Sequence, residues 1–233
     1  DFKLLKKMLT YALPVMIGGL AGMVNETFDR IALKHLVTIP DNIHTAKEIS
    51  DYKMSQIGIY GACYKLSIVI SLFIQAFKFA AEPFFFSKMK QEDAKQSYSN
   101  IMTVFVIFLC VIFLGVLGYL DIFKYFIGYK YRIGLTVVPI LLGANLFLGI
   151  YYNLSIWYKV TDKTKYGAYI ATIGAIITLI LNYILVPIMG YMGAAWTTFI
   201  CYFSIAVICY LVGQRHYPVN YNIKHITIYL LSA

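Results

Sequence analysis

Long apolar stretches alternate with short polar ones along almost the whole chain. A bilayer core about 30 Å thick needs about 20 apolar residues per helix, so each stretch of that length predicts one transmembrane helix. Six stretches qualify, and they cover residues 8–33, 58–86, 101–127, 134–158, 167–189 and 193–213. A seventh begins near His225 and is truncated. The pattern predicts an all-α integral membrane fold with six complete transmembrane helices and a truncated seventh, which we interpret as a fragment of a longer membrane protein.

The composition agrees with this class of protein. Apolar residues make up 60 % of the 233 positions and charged residues only 13 %, about half the charged share of a soluble domain. The net charge of +9 does not indicate nucleic acid binding, because most basic residues lie in the gaps between apolar stretches. The four cysteines all fall inside apolar stretches and form no CxxC pair, so we expect small buried residues and no metal site.

The distribution of basic residues predicts an orientation. Eleven basic residues would lie on one side of the membrane: Lys3, Lys6, Lys7, Lys88, Lys90, Lys95, Lys159, Lys163, Lys165, Arg215 and Lys224. Six would lie on the other: Lys34, Lys47, Lys53, Lys124, Lys130 and Arg132. The positive-inside rule places the larger group in the cytoplasm. The polar segment 34–57 is then an external, solvated loop with room for one helical turn.

Charged residues inside predicted spans are costly and usually face a cavity or a partner. The first span ends in "NETFDR", where Glu26, Asp29 and Arg30 have the spacing i, i+3, i+4 and share one helix face. Glu26 and Arg30 can pair directly at this spacing. The alternative is that these side chains mark the external end of the span and extend to water.

The second span carries a polar stripe. Ser67, Ser71, Gln75, Lys78 and Glu82 recur at helical spacing, and apolar residues fill the other faces. Such a stripe in a membrane favours a helix that lines a water-filled cavity, with Lys78 and Glu82 paired one turn apart. The alternative is a buried seam between helices in which every polar group has a partner.

The remaining features have simpler interpretations. We assign the polar residues of the later spans to hydrogen bonds between helices: Asn145, Asn153, Thr172, Thr178 and Asn182. The aromatic-rich segments "FKYFIGYKYR" and "IYYNLSIWYK" are typical of the interfacial belt, and a sugar-stacking surface is the alternative. Four prolines lie in or at the ends of spans and predict kinks: Pro14, Pro83, Pro139 and Pro187. No catalytic or cofactor motif is present, so we expect neither an enzyme nor a cofactor.

Three stretches, read in order, resemble the second half of a known family. They are "ALPVMIGGLAGMVNETFDRIAL", "IGIYGACYKLSIVISLFIQAFKFAAEPFFF" and "LVPIMGYMGAAWTTFICY". The matching elements are the Asp29-Arg30 pair after a proline-containing helix, Gly58-x-Tyr60, Pro83, and the turn formed by Pro187, Gly190, Gly193, Ala194 and Ala195. The sequence is similar to polysaccharide flippases of the multidrug/oligosaccharidyl-lipid/polysaccharide exporter superfamily.

The resemblance implies one lobe of a two-lobed transporter, with residues 1–233 as a single bundle and a central cavity that works by alternating access. It implies a bacterial cytoplasmic membrane and an undecaprenyl-pyrophosphate-linked oligosaccharide as substrate. The partners it implies are membrane lipids, a missing N-terminal lobe and a glycan polymerase. The candidate cavity residues are Glu26, Asp29, Arg30, Ser71, Gln75, Lys78 and Glu82. Arg30 and Lys78 are the candidates for the pyrophosphate, although each has an acid one turn away.

Two other functions remain open on the sequence alone. The first is an ion-coupled drug or small-cation antiporter of the same superfamily, in which Glu26, Asp29 and Glu82 would bind protons or cations. The second is a membrane scaffold without transport activity, or a glycan polymerase. A polymerase should carry a large external loop bearing Arg or His, and the 34–57 loop contains His35 and His44 but no Arg.

Overall fold

The structure is a computed structural model that describes residues 2–232, apart from the side chains of residues 2, 3, 6, 7, 10, 11, 15 and 231. The side chains of Lys3, Lys6 and Lys7, which contribute to the predicted orientation, therefore lie outside the described residues. Within the described part the fold is all-helical, without strands. The helices are α1 Phe2–Leu36, α2 Ala46–Lys88, α3 Ala94–Gly118, α4 Leu120–Phe123, α5 Val138–Leu154, α6 Ile156–Val160, α7 Thr164–Met189, α8 Tyr191–His216 and α9 Ile223–Ser232. Short 3-10 helices at Lys124–Phe126 and Tyr129–Val137 connect α4 to α5.

Five helical segments among the described residues are long and apolar enough to cross a membrane, which indicates a multi-pass membrane protein. They are Ala46–Lys88, Ala94–Gly118, Tyr129–Val160, Thr164–Met189 and Tyr191–His216. The predicted count of six spans plus a truncated seventh is not confirmed. The first predicted span lies on α1, where several side chains are outside the described part, and the seventh corresponds to the ten-residue helix α9.

Helix boundaries differ from the prediction at both ends of the second span. The segment 34–57 is not mainly a loop, because α2 already begins at Ala46. The Glu48 carboxylate accepts a hydrogen bond from the backbone N–H of Thr45 at 3.2 Å, a contact that starts a helix in polar sequence. At the other end α2 continues to Lys88, and Pro83 lies inside it.

The centre of the bundle is formed by α5 and α8. Helix α5 packs against α2, α3 and α8, while α7 packs against α1 and α8. Leu141, Leu142 and Ala144 of α5 are completely buried in this core. The kink predicted at Pro139 is absent. Pro139 lies in the first turn of α5, where proline has no hydrogen bond to break.

The α7–α8 turn explains the spacing of the predicted Pro-x-x-Gly-x-x-Gly-Ala-Ala element. Gly190 has a φ of 56°, a conformation that favours glycine. A Cβ on Gly193 would overlap the carbonyl oxygen of Leu185. Ala194 and Ala195 are fully buried behind it. The small residues therefore let the end of α7 and the start of α8 approach closely.

The helix ends fall into two groups. At one end, the side chain of Gln56 accepts a hydrogen bond from the backbone N–H of Tyr191 at 3.2 Å, which joins α2 to the α7–α8 turn. At the other end, Ser99 of α3 donates to the carbonyl oxygen of Asn220 at 2.7 Å, just before α9. Which end faces the cytoplasm stays a prediction from the distribution of basic residues.

Candidate functional site

Asp29 lies at the meeting point of four helices. Its carboxylate is 1 % exposed, although α1 continues for seven residues beyond it to Leu36. One oxygen, Oδ2, accepts hydrogen bonds from the Tyr60 hydroxyl of α2 at 2.5 Å and the Thr198 hydroxyl of α8 at 2.7 Å. The other, Oδ1, accepts one from Nδ2 of Asn182 in α7 at 2.8 Å. Three neutral donors thus surround one acid in the interior.

A second polar layer continues this network one turn away. The Thr178 hydroxyl donates to Oδ1 of Asn25 at 3.0 Å, and Nδ2 of Asn182 also donates to the Thr178 carbonyl at 3.0 Å. Oδ1 of Asn182 is buried without a hydrogen-bond partner among the described residues. Since buried polar atoms are nearly always bonded, this oxygen gives the network one free acceptor. We call Asn25, Asp29, Tyr60, Thr178, Asn182 and Thr198 the Asp29 network.

A polar groove runs beside this network. It consists of two adjoining cavities of about 490 Å³ and 510 Å³, which share the lining residues Glu26, Lys78, Leu148 and Tyr152. Residues from α1, α2, α5, α6, α7 and α8 form its walls. A groove of this size with charged walls is unusual among spans that otherwise present apolar side chains.

Three charged side chains of the groove have defined partners. Nζ of Lys159, on α6, forms an ion pair with Oε1 of Glu82 on α2. These side chains are 24 % and 33 % exposed. Nζ of Lys78 lies 5.0 Å from the ring centre of Tyr152, within the range of a cation–π interaction. We call Lys78, Glu82, Tyr152 and Lys159 the groove cluster.

Both ion pairs predicted within single helices are wrong, although all four side chains belong to the described part of the chain. Glu82 pairs with Lys159 of another helix and not with Lys78. Arg30 does not pair with the Glu26 carboxylate; its Nη1 donates to the Glu26 carbonyl oxygen at 3.3 Å, and its guanidinium lies 5.3 Å from the Tyr64 ring centre. Helical spacing makes such pairs possible, but partners across the bundle and the flat tyrosine rings compete for the same charges.

The seven candidate site residues divide between the two regions. Five line the groove: Glu26, Ser71, Gln75, Lys78 and Glu82. Asp29 is buried in the Asp29 network. Arg30 belongs to neither region, because its guanidinium lies over the ring of the groove residue Tyr64. The predicted stripe also divides, because Ser67 is buried and donates to the Tyr64 carbonyl at 2.7 Å. The two alternatives for the polar stripe of α2 therefore both apply, since one part of the stripe lines a cavity and another part is buried.

Ser71 belongs to both regions of α2. It lines the groove, and its hydroxyl donates to Oδ1 of Asn145 on α5 at 2.7 Å. Asn145 is fully buried and also donates from Nδ2 to the Leu141 carbonyl at 2.8 Å. As predicted, a polar residue of a later span here makes a hydrogen bond between helices.

Sequence reasoning missed several residues of these two regions. Only the Gly58-x-Tyr60 element marks Tyr60 in the sequence, and nothing marks Thr198. Asn182 is predicted to form a hydrogen bond between helices, which it does with Asp29, but the sequence does not indicate its partner. Lys159 was counted as a basic residue flanking the membrane. A signal existed for Lys159 in its position after the aromatic segment 151–158, but only the fold shows that α6 turns it toward Glu82.

The two aromatic-rich segments have different environments. Tyr125, Phe126 and Tyr129 are exposed, as an interfacial belt requires. Beside them, the Lys124 ammonium lies 2.7 Å from Asp121 and holds the pKa of that carboxyl below its usual range. Trp157 is different: it is 2 % exposed and stacks on the His216 ring, so the belt interpretation is wrong for this residue.

The four cysteines, all in the described part of the chain, are buried, as predicted, and none is in a disulfide. No protein-family profile, curated protein or solved structure matches this chain.

Proposed function

We propose that this chain is one lobe of a transporter that moves an undecaprenyl-pyrophosphate-linked oligosaccharide across the bacterial cytoplasmic membrane by alternating access. The lobe supplies one wall of the substrate path. The other wall comes from a second lobe of the same protein. The proposal includes contact with the lipids around the path and, in the cell, delivery of the product to a glycan polymerase.

The polar groove is the observation that carries this proposal. Charged side chains within membrane spans usually mark a path for a substrate or an ion, and this groove contains two lysines and two acids. Lys78 and Lys159 provide cations that suit a diphosphate. Tyr64 and Tyr152 provide rings with polar tips next to them, which suit a glycan because they combine an apolar face with a hydroxyl.

The volume of the groove also supports a large substrate. Each of the two adjoining cavities has the size of a small-molecule site, so together they offer an elongated path. The flanking surface is apolar, since Met23 and Phe79 are 65 % and 79 % exposed and line the two cavities. A polyprenyl chain could lie along such a surface while its head group occupies the groove.

The experiment that tests this function is polysaccharide export in cells that depend on the full-length protein. Lys78→Ala should reduce export at least tenfold with unchanged protein level in the membrane. The matched control is Lys90→Ala, because Lys90 is exposed beyond the end of α2. This variant should export polysaccharide at the wild-type level. Normal export by Lys78→Ala would contradict the proposal.

A second candidate function is transport coupled to a proton or a small cation, as in an antiporter. The Asp29 network favours it, because Asp29 forms no ion pair among the described residues and Oδ1 of Asn182 has no donor. A buried acid surrounded by neutral oxygen and nitrogen groups can exchange a proton or accept a desolvated monovalent cation. The two candidate functions are compatible if Asp29 binds the ion whose gradient drives transport of the oligosaccharide.

Asp29→Asn tests this second function. The amide keeps an acceptor oxygen for Tyr60 and Thr198 but cannot take up a proton. In proteoliposomes the variant should lose the dependence of transport on the sodium or proton gradient. The conservative variant Asp29→Glu should retain part of that dependence. Unchanged dependence in Asp29→Asn would overturn the coupling role.

A further inference from the structure

The ion pair between Glu82 and Lys159 connects two helices across the groove. Glu82 lies on α2 directly before Pro83, and Lys159 lies on the short helix α6. Helix α6 is separated from α5 by a break at Ser155, whose hydroxyl donates to the Tyr152 carbonyl at 2.6 Å. Glu82 therefore lies next to an interruption in the helical hydrogen bonding, and Lys159 lies one turn after another.

The ion pair also determines which lysine of the groove is available to bind an anion. Lys78 has no acid within ion-pair distance among the described residues and contacts the Tyr152 ring. Lys159, by contrast, is already bound to a carboxylate. An anion that enters the groove meets one available ammonium and one that is occupied.

We propose that Glu82 competes with the anionic ligand of this groove for Lys159. In the empty groove the Glu82 carboxylate binds Lys159, and a diphosphate group displaces this carboxylate and binds Lys78 and Lys159 together. This inference rests on the proposed function, since it concerns the regulation of the same groove. It adds Lys159 as a binding residue and gives Glu82 a role opposite to that of a ligand. The carboxylate and the phosphate oxygens compete because both are acceptors for the same three N–H groups.

Displacement would also change the contact between helices. When Lys159 turns to the ligand, the end of α2 that contains Glu82 loses its ion pair with α6. The proline that follows Glu82 leaves a helix turn without one backbone hydrogen bond, so this end of α2 is the part that can tilt most easily. Ligand binding is in this way linked to a change at one end of the groove.

The test measures binding of inorganic pyrophosphate to the purified protein in nanodiscs by isothermal titration calorimetry. A competitor that occupies Lys159 about four-fifths of the time weakens apparent affinity about fivefold. Glu82→Gln should therefore bind pyrophosphate about fivefold more tightly than the wild type. Lys159→Gln, and the double variant Glu82→Gln/Lys159→Gln, should bind at least fivefold more weakly than the wild type.

Two matched controls separate this effect from a general change in charge. Glu92 and Lys163 are exposed and lie outside the groove lining, so Glu92→Gln and Lys163→Gln should leave the affinity unchanged. Lys159→Arg keeps the charge and should retain binding if Lys159→Gln fails to fold. Equal or weaker binding by Glu82→Gln, with a normal size-exclusion profile, would overturn the inference.

The outcome is independent of transport. If Glu82→Gln tightens pyrophosphate binding but the protein exports no glycan, the competitor role stands and the proposed function fails. If export occurs and depends on Lys78, but Glu82→Gln leaves pyrophosphate affinity unchanged, the proposed function stands and the competitor role fails.

Discussion

The Asp29 network and the groove cluster handle charge in the membrane in opposite ways. Asp29 is completely enclosed, and neutral donors from three other helices saturate its carboxylate. Glu82 and Lys159 are partly exposed and are stabilised mainly by each other. A buried charge with neutral donors holds helices together, whereas a partly exposed pair can exchange its partner. The interior acid therefore joins the helices of the lobe and is accessible at most to a proton or a small ion, whereas the groove charges are available to a large anionic ligand.

The largest effect should come from removing the centre of the Asp29 network. Asp29→Ala removes three hydrogen bonds to a buried carboxylate, although Thr198 and Asn182 keep the carbonyl oxygens of Ala194 and Thr178 as acceptors. Hydrogen bonds to charged groups contribute about 1.5–3 kcal/mol each, so the free energy of unfolding should fall by roughly 3 kcal/mol, measured by denaturation with SDS in bicelles. Asp29→Asn, which keeps one acceptor oxygen, should lose about 1 kcal/mol.

The control for this prediction is Asp51→Ala, because Asp51 is exposed near the start of α2. It should unfold like the wild type. If Asp29→Ala were as stable as Asp51→Ala, the contrast between an architectural acid and a ligand-facing pair would be lost.

A smaller loss should follow from separating α7 and α8, which carry Asn182 and Thr198. Gly193→Ala places a methyl group against the Leu185 carbonyl, and such overpacking costs about 2 kcal/mol. Gly61→Ala is the matched control, since no atom lies within 4 Å of a Cβ at that position. Thermal unfolding in detergent should distinguish the two; equal midpoints would mean that the network does not need the close approach of α7 and α8.

The smallest effect on stability should come from the groove cluster. Ion pairs that are partly exposed contribute about 0–1 kcal/mol, so Glu82→Gln and Lys159→Gln should each reduce the free energy of unfolding by less than about 1 kcal/mol. The same SDS titration in bicelles measures this. A loss as large as that of Asp29→Ala would show that the pair is architectural, and the two regions would no longer differ.

Much of the fold follows from the sequence because a membrane leaves few choices. Every backbone group in the bilayer core must be bonded internally, so long apolar stretches become helices, and five of the predicted stretches coincide with helical segments long enough to cross. The start of α2 was missed because its first turns are polar and depend on the contact between Thr45 and Glu48. Apolar length carries no information about a helix that extends into water.

The candidate site could be predicted only as far as single helices determine it. Spacing predicts that Lys78 and Glu82 share one face of α2, because positions on a helix face follow from its period, and both side chains line the groove. It could not identify Lys159 as the partner of Glu82, since contacts between helices depend on how α6 turns after Ser155. The depth of Asp29 was open for a similar reason: only the continuation of α1 to Leu36 and the packing of α7 and α8 enclose it.

The length of α2 gives this helix a mechanical consequence. Its 43 residues correspond to a rod about 65 Å long, twice the hydrocarbon thickness of a bilayer. Glu82 lies near one end, and Gln56, which holds the α7–α8 turn, lies about 40 Å away on the same rod. The stretch between Gln56 and Glu82 contains no proline, so a few degrees of tilt moves one of its ends by several ångströms relative to the other, and α2 links the Glu82 end of the groove to the α7–α8 turn.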